Sequence, residues 1–273
     1  MDISNFLQRI LATKAQEVTT DKKFIPLPIM RERAETCIYR NKQHDFIAAL
    51  KTKIEQKQSA VIAEVKKFSP SKGVLRPYYL PAEIAQSYAR NGAACISVLT
   101  DQHFFQGRPE HLQQVRSQCT LPILRKDFLI DEYQIYEAAL WGADCILLIA
   151  AALDKSRLLA FEALANELGL SVLVEVHNEI EIERALRLKT PLIGINNRNL
   201  HTFQVSIDTT LELMSLIPSD RLIVTESGIM TRSDINELLA AGIEAFLVGE
   251  TLIRAPDPGE ALHNLFFNTE LPT

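Results

Sequence analysis

VIAEVKKFSPS, residues 61–71, begins as a short apolar run and ends in charged and hydroxyl side chains. Eight such runs occur along the chain, and seven of them end in charged, amide or hydroxyl residues. The other seven runs are ACISVLTD (94–101), LPILRKD (121–127), ADCILLIA (143–150), LSVLVEV (170–176), PLIGINN (191–197), RLIVTES (221–227) and EAFLVGE (244–250). Successive runs end about 20 to 35 residues apart, with a helix-like stretch in each gap. Strand, crossover helix and strand repeated eight times predict a closed parallel (β/α)8 barrel, the TIM-barrel architecture.

The first sixty residues lie outside this alternation. Apolar residues at helical spacing predict a helix over residues 2–19, with Asp2 or Ser4 as a possible N-cap. FIPLPI (24–29) reads as a connector broken by prolines, and residues 43–54 as a second helix. We therefore expect an N-terminal helical extension, residues 1–60, packed on the barrel near its mouth. The barrel would occupy residues 61–273 and form one domain with the extension.

The composition of the chain indicates its cellular compartment and excludes some classes of partner. The net charge of -5 provides no strong positive field, so nucleic acid is not an expected partner. No stretch approaches the ~20 apolar residues that cross a bilayer, and no signal peptide opens the sequence. The four cysteines form no CxxC pair and the six histidines show no HxxH spacing, so no metal site is predicted. We expect a cytoplasmic, monomeric protein that does not bind membranes.

Candidate catalytic residues lie at the ends of the first, third and fifth strands. Strand alternation places Glu64 and Lys66 together on the barrel interior, where they form either a catalytic pair or a salt bridge. Lys126 can act as a general acid, a nucleophile or a carboxylate anchor, or simply pair with Asp127. Glu175 follows four aliphatic residues, and burial there would raise its pKa and favour acid–base chemistry. The alternative for Glu175 is a helix cap or an ion pair.

The later strand ends suggest binding of a polar ligand. Amides at Asn196 and Asn197 can orient hydroxyl groups, although an Asx turn is the simpler alternative. Glu226, Ser227 and Gly228 follow the seventh strand, and Gly249 and Glu250 follow the eighth. The loops after these two strands form the usual phosphate site of this fold, because backbone N–H groups can approach a ligand closely there. His177 could share the face of Glu175, but a loop histidine is the simpler interpretation.

Together, these motifs resemble the indole-3-glycerol phosphate synthase family, the barrel enzymes of tryptophan biosynthesis, over essentially the whole chain. The segments that carry the resemblance are AEVKKFSPSKG, ISVLTDQHFF, LRKDF, VLVEVHNE, IGINNRNLHTF, IVTESGI and FLVGE, in that order. The combination of Glu-x-Lys-x-x-Ser-Pro-Ser, Lys-Asp-Phe and Glu-Ser-Gly is specific, whereas each motif alone is not. Because the sequence ends soon after the eighth helix, we expect no fused isomerase domain.

The resemblance implies a carbon–carbon lyase that decarboxylates a small phosphorylated substrate without a cofactor. That substrate would be 1-(2-carboxyphenylamino)-1-deoxyribulose 5-phosphate, which closes to indole-3-glycerol phosphate with loss of carbon dioxide and water. By resemblance, the catalytic set is Glu64, Lys66, Lys126, Glu175, Asn196, Glu226 and Ser227. The implied phosphate-binding set is Ser69, Arg198, Gly228, Gly249 and Glu250, and Phe105 and Phe128 would sandwich the anthranilate ring.

Two positions depart from the family pattern. Asn199 stands where the family commonly has Asp, and Glu250 stands where some members have Ser. A carboxylate beside a phosphate is repulsive, so we expect Glu250 to point away or to pair with a cation such as Arg254. Two other functions would use the same phosphate loops. One is another sugar-phosphate barrel enzyme, such as phosphoribosylanthranilate isomerase, and the other is a non-catalytic sugar-phosphate binder.

Overall fold

Eight parallel strands close into a barrel in the computed structural model, which describes residues 6–38, 44–199 and 203–268. Each strand pairs with the next along the chain, and the eighth pairs with the first. The strands are β1 Ala60–Val65, β2 Cys95–Leu99, β3 Ile123–Lys126, β4 Cys145–Ile149, β5 Ser171–Val176, β6 Leu192–Asn196, β7 Leu222–Glu226 and β8 Ala245–Val248. Every predicted strand is present, so the barrel prediction is confirmed.

Alternation along the strands divides the core into two layers. Ile62, Leu124 and Leu147 pack inside the barrel, whereas Val61 and Ala63 pack outward against the helices. Both layers are fully buried in β1, because a parallel barrel is covered on both faces. The strand phase predicted from the sequence is therefore correct, and it turns Glu64 inward.

Helices surround the barrel, as the helix-like stretches between the strands predict. Their bounds are α1 Phe6–Phe24, α2 Leu27–Ile38, α3 Phe46–Glu55, α4 Pro81–Arg90, α5 Pro109–Gln118, α6 Glu132–Trp141, α7 Lys155–Glu167, α8 Glu179–Ala185, α9 Asp208–Leu213, α10 Arg232–Ala240, α11 Glu250–Ile253 and α12 Pro258–Phe266. Asp131 and Thr231 form capping boxes at the starts of α6 and α10. A short 3₁₀ turn, Met214–Leu216, follows α9.

The N-terminal extension differs from its prediction in two respects. The FIPLPI segment is mostly helical, because only Ile25 and Pro26 separate α1 from α2 and Pro28 lies in the first turn of α2, where a proline is tolerated. The possible caps Asp2 and Ser4 lie outside the described residues. The extension also covers more than the mouth. Phe46 and Leu50 of α3 pack into the interior layer at the opposite end, where the strands begin.

The loop after β1 carries a small hairpin on the catalytic side of the barrel. Phe68–Ser69 pairs antiparallel with Gly73–Val74. Gly73 has a φ of 73°, a conformation that favours glycine. The hairpin brings Ser69 and Ser71 to the rim of the cavity described below. Among the described helices, none has the length and apolar character that a bilayer crossing requires.

Candidate active site

A cavity of about 610 Å³ opens at the carboxyl ends of the strands. Every residue of the catalytic, phosphate-binding and aromatic sets implied by the resemblance lines it: Glu64, Lys66, Ser69, Phe105, Lys126, Phe128, Glu175, Asn196, Arg198, Glu226, Ser227, Gly228, Gly249 and Glu250. Asn197, the other amide named from the sequence, does not line it. Residues that are far apart in the chain meet there because parallel strands all present their carboxyl ends to one face. The cavity is therefore the candidate active site.

Lys126 lies at the centre of the charged cluster. Its Nζ donates to Glu175 Oε2 at 3.2 Å and to Glu226 Oε2 at 2.9 Å. The alternative in which Lys126 pairs with Asp127 is wrong, because successive residues of a strand point to opposite faces. Asp127 instead pairs with Lys14 and Arg125.

The two carboxyls that hold Lys126 differ in acidity. Burial would raise the pKa of Glu175, but the Lys126 ammonium and His177 outweigh it, and the net pKa is lowered. The upward shift predicted for Glu175 is therefore wrong. Burial raises the pKa of Glu226 to about 7, and the charge of Glu175 adds to that effect. Glu226 is thus the carboxyl of the pair that retains a proton nearer neutrality.

The two carboxylates also determine the charge of Lys126. Burial disfavours the ammonium, but Glu226 and Glu175 outweigh burial and raise the pKa of Lys126 above its ordinary value. The cavity consequently contains a protonated amine at neutral pH. Gly194 makes room for this arrangement, because a Cβ at that position would collide with Glu226 Oε1.

Glu64 and Lys66 form the ion pair that the sequence allowed. Burial would raise the pKa of Glu64, but Lys66 and Lys126 lower it overall, so the carboxylate remains ionised. Gly249 packs directly against this carboxylate, and a Cβ there would collide with Glu64 Oε2. The glycine therefore has a packing role in addition to any role in ligand binding.

The two asparagines after β6 have different partners. Asn196 lines the cavity and helps to lower the pKa of Glu175, and its Oδ1 accepts the N–H of Arg198 at 3.0 Å in an Asx turn. Asn197 is buried, and its Nδ2 donates to the carbonyl of Ser227 at 3.0 Å. That hydrogen bond supports Ser227 at a φ of 65°, an uncommon conformation for a residue other than glycine.

The predicted phosphate end is built around α11. Glu250 Oε2 lies 3.8 Å from Arg198 Nη2, and Glu250 Oε1 lies 3.6 Å from Arg254 Nε. The expectation that Glu250 pairs with a cation is confirmed, and Arg198 is a second partner that the sequence did not indicate. Ser69 Oγ lies 3.2 Å from Ser71 Oγ on the cavity wall. This end of the cavity carries two guanidinium groups and one carboxylate.

An aromatic wall lines another side of the cavity. Phe105 and Phe128 contact each other with their ring centroids 6.0 Å apart and their planes at 32°. A third ring does not fit between rings that already touch, so a sandwich is not possible in this geometry. Phe6 of α1 and Phe203 also line the cavity, in an edge contact at 5.6 Å. Phe6 lies within the helix predicted over residues 2–19, but the sequence did not indicate what that helix contacts at the cavity.

Sequence reasoning also missed a buried charge network that fastens α1 to the mouth. Lys14 Nζ lies 2.9 Å from Asp101 Oδ2 and 3.0 Å from Asp127 Oδ1, and its side chain is 3% exposed. Burial would raise the pKa of Asp127, but Lys14 and Arg125 lower it well below its usual range. No local sequence signal marks this pairing, because Lys14 lies more than 80 residues from either aspartate.

His177 lies in the loop between β5 and α8, as expected from the sequence, and its ring also contacts Glu175. Its Nε2 lies 3.4 Å from Glu175 Oε1, and its Nδ1 lies 3.0 Å from Glu181 Oε2. The ring is largely buried, at 10% exposure. His177 therefore contacts the charged cluster from behind, through Glu175.

Comparison with known proteins identifies close relatives. A family model described as "Indole-3-glycerol phosphate synthase" matches residues 7–265. An indole-3-glycerol phosphate synthase of Polaromonas naphthalenivorans (strain CJ2) is 58% identical over 264 residues, which cover 97% of this chain and 99% of the relative. One of Paracidovorax citrulli (strain AAC00-1) is 55% identical over 268 residues, covering 97% of this chain and 100% of the relative.

Solved structures show the same fold at much lower identity. KGPDC from Streptococcus mutans superposes with a TM-score of 0.58 at 13% identity, covering 76% of this chain and 95% of that one. Tryptophan synthase subunit alpha from Legionella pneumophila str. Paris superposes with a TM-score of 0.58 at 13% identity, covering 81% of this chain and 94% of that one. At this identity, the two structures indicate the fold alone.

Proposed function

Because this chain belongs to the indole-3-glycerol phosphate synthase family, we propose that its cavity residues carry out the reaction of that family. The chain closes 1-(2-carboxyphenylamino)-1-deoxyribulose 5-phosphate to indole-3-glycerol phosphate and releases carbon dioxide and water, in tryptophan biosynthesis. This is the reaction of a decarboxylating carbon–carbon lyase. The observation that carries the assignment of roles is an ammonium group, Lys126, held between two buried carboxyls at the centre of the cavity.

Lys126 is the general acid of ring closure. As the aromatic carbon attacks the ketone, negative charge develops on the ketone oxygen and a proton must reach it. Glu175 and Glu226 keep Lys126 protonated and aim its Nζ into the cavity. An ammonium fixed in position before the substrate arrives needs little reorganisation when that charge develops.

Lys66 binds the carboxylate that leaves as carbon dioxide. Its partner Glu64 is buried and ionised, and it holds the Lys66 side chain at the cavity wall. Substrate can then share the ammonium with Glu64, which also orients hydroxyl groups of the sugar. Lys66 additionally supports the oxyanion that forms during ring closure.

Glu175 serves the final dehydration, in which a hydroxyl leaves and a proton comes off the new ring. Asn196 lines the cavity with Glu175 and orients a sugar hydroxyl. Glu226 and Ser227 complete the floor of the site. Because Glu226 is the carboxyl with the raised pKa, it holds Lys126 without adding a second full negative charge near neutrality.

The two ends of the cavity separate the substrate's phosphate from its aromatic ring. Ser69, Gly228, Gly249 and Arg198 bind the phosphate, and Glu250 lies beside them, paired with Arg198. Phe105 and Phe128 form one wall against which the anthranilate ring stacks. This arrangement places the reacting carboxyl and ketone between the ends, beside the two lysines.

The direct test mixes purified protein with the carboxyphenylamino-deoxyribulose phosphate and follows indole fluorescence together with released carbon dioxide. We expect both signals to rise with equal stoichiometry. A sugar-phosphate isomerase would release no carbon dioxide, and a binding protein would give neither signal. Either result would overturn the proposed function.

A further inference from the structure

His177 follows β5 directly and presents each ring nitrogen to a carboxylate. Its Nδ1 lies 3.0 Å from Glu181 Oε2 and its Nε2 lies 3.4 Å from Glu175 Oε1. Residues from the ends of all eight strands line the cavity, but His177 is not among them. Any effect of His177 on the substrate must therefore pass through Glu175.

Glu181 determines which ring nitrogen of His177 carries hydrogen. Its Oε2 accepts the backbone N–H of His177 at 2.8 Å, and its Oε1 accepts from Asn178 Nδ2 at 2.7 Å. A carboxylate fixed in this way accepts hydrogen bonds, so Nδ1 must be the donor. In a neutral ring, Nε2 would then carry no hydrogen, and its lone pair would point at Glu175.

The geometry around Nε2 requires a proton between His177 and Glu175. Nε2 is buried and has no well-aligned hydrogen-bond partner in the resting arrangement. A lone pair and an ionised carboxylate oxygen 3.4 Å apart repel each other when both are shielded from water. One proton shared by the two groups removes that repulsion, either on Nε2 or on Glu175.

The charges that face His177 place the resting proton on the ring. Burial disfavours the imidazolium, but Glu181 from α8, Glu175 from β5 and Glu226 from β7 outweigh it and raise the pKa of His177. Lys126 acts in the same direction by keeping Glu175 ionised. This creates a chemical difficulty for dehydration, because an ionised Glu175 has no proton to give to a departing hydroxyl.

We propose that His177 is the proton reservoir of Glu175 during dehydration, an inference that rests on the dehydration role assigned above to Glu175. The Nε2–H bond breaks, its electron pair stays on Nε2, and the proton moves to Glu175 Oε1. Glu175 then protonates the hydroxyl, which leaves as water. The resulting carboxylate removes a proton from the adjacent carbon of the new ring and returns it to Nε2. His177 loses one proton and regains one, so no external proton donor is needed in this step.

The kinetic test compares His177→Gln with His111→Gln as the matched control. His111 is a half-buried histidine of α5 with an unpartnered ring nitrogen, and it lies outside the cavity lining. Direct proton-transfer groups supply about 10²–10⁴ in rate, so removal of a group that acts through Glu175 should lower kcat by roughly 10–100-fold. KM should stay within about twofold, because contacts with substrate are retained.

A single-turnover experiment separates this role from a structural one. In His177→Gln, carbon dioxide should be released at nearly the normal rate while indole fluorescence lags, because only dehydration is slowed. Equal slowing of both signals would overturn the proposal, as would normal kinetics in the variant. If the unsubstituted protein yields no indole product at all, it is the proposed function that fails.

A second measurement needs neither substrate nor a His177 variant. Histidine ring titration by NMR in the ligand-free protein should show a midpoint for His177 above about 6.5, the ordinary value. In Glu175→Gln that midpoint should fall by about one pH unit or more, while the midpoint of His111 stays unchanged. If the His177 midpoint is the same in Glu175→Gln, His177 and Glu175 do not share a proton and the proposal is wrong.

Discussion

At the scale of single residues, the site depends on which charges are paired. Lys126 shares its ammonium with two carboxyls, Lys66 shares its own with one, and Glu250 lies between two arginines. Each of these cations is therefore already paired with a carboxyl group in the substrate-free protein. Substitutions at these positions should affect different kinetic constants, because the proposed function assigns the groups to different parts of the substrate.

Lys126→Ala should abolish most turnover and leave binding largely intact. The variant lacks the positioned proton donor, which is typically worth about 10²–10⁴ in rate. We expect kcat to fall by that factor in the indole fluorescence assay while KM changes little. Lys155→Ala, at an exposed lysine of α7, is the control and should be fully active. Turnover of Lys126→Ala within a few-fold of normal would refute the general-acid role.

Glu250→Ser should improve binding of the phosphorylated substrate. Removing the carboxylate frees Arg198 and Arg254 and takes a negative charge away from the phosphate end. A charge interaction of about 1 kcal/mol corresponds to a KM lowered by about fivefold. The value of kcat should be unchanged, and inorganic phosphate should inhibit the variant more strongly. Glu260→Ser on α12 is the matched control, and a higher KM for Glu250→Ser would show that this carboxylate aids binding.

At the scale of elements, the extension holds both ends of the barrel. Helix α1 places Phe6, Leu7 and Ile10 on the cavity, and α3 inserts Phe46 and Leu50 into the end where the strands begin. The attachment of α1 includes a buried lysine, Lys14. Breaking a buried ion pair by removing one partner is costly because the other charge remains desolvated.

Lys14→Met should therefore destabilise the protein by about 3–5 kcal/mol at neutral pH. Lys22→Met, on the same helix, removes the half-exposed pair with Asp131 and should cost only about 0–1 kcal/mol. Urea unfolding at pH 7 measures both changes. A similar loss in the free energy of unfolding for the two variants would mean that the buried ion pairs of Lys14 contribute no more to stability than the exposed pair of Lys22.

At the scale of the whole molecule, buried carboxyls should give stability a maximum in mildly acidic solution. Asp127 and Glu64 have lowered pKa values in the folded protein, so their contribution is present above the unfolded values near 4 and is lost as the pH falls. Burial raises the pKa of Glu137 to about 7 and also raises that of Glu226. The stability that Glu137 and Glu226 contribute is therefore lost as the pH rises from about 4.5 toward 7. His177, with a raised pKa, adds a further loss above about 6.5.

We expect the free energy of unfolding to be greatest at about pH 5, between the pH ranges in which these two sets of groups titrate. Urea unfolding at acidic, intermediate and slightly alkaline pH would measure the curve. Glu137→Gln should flatten the decline on the alkaline side, because its carboxyl no longer has to ionise in a buried position. A stability that rises steadily toward pH 8 would contradict this balance.

Much of the site could be predicted from strand ends alone. Glu64, Lys126 and Glu175 were identified because a polar residue that closes an apolar run must face the mouth of a parallel barrel. This reasoning needs only local periodicity and the rule that all the strands point the same way. It does not specify ion-pair partners, so Asp127 was the only partner considered for Lys126, and the pairing with Glu175 and Glu226 was not predicted.

The pKa of Glu175 shows why the rest could not be predicted. Aliphatic neighbours in sequence correctly indicated burial, and burial alone raises a carboxyl pKa. The opposing charges of Lys126 and His177 reverse that shift, and Lys126 comes from another strand. The raised pKa belongs instead to Glu226, whose sequence context gave no such signal.

The sequence by itself determined the barrel, the phase of its strands and the set of side chains at its mouth, because these follow from hydrophobic periodicity and chain direction. Only the tertiary structure decided that α3 closes the far end, that Phe105 and Phe128 touch, and that His177 supports Glu175. Those outcomes depend on distances between residues separated along the chain, and on how far each charge is removed from water. Neither quantity is encoded in any single segment.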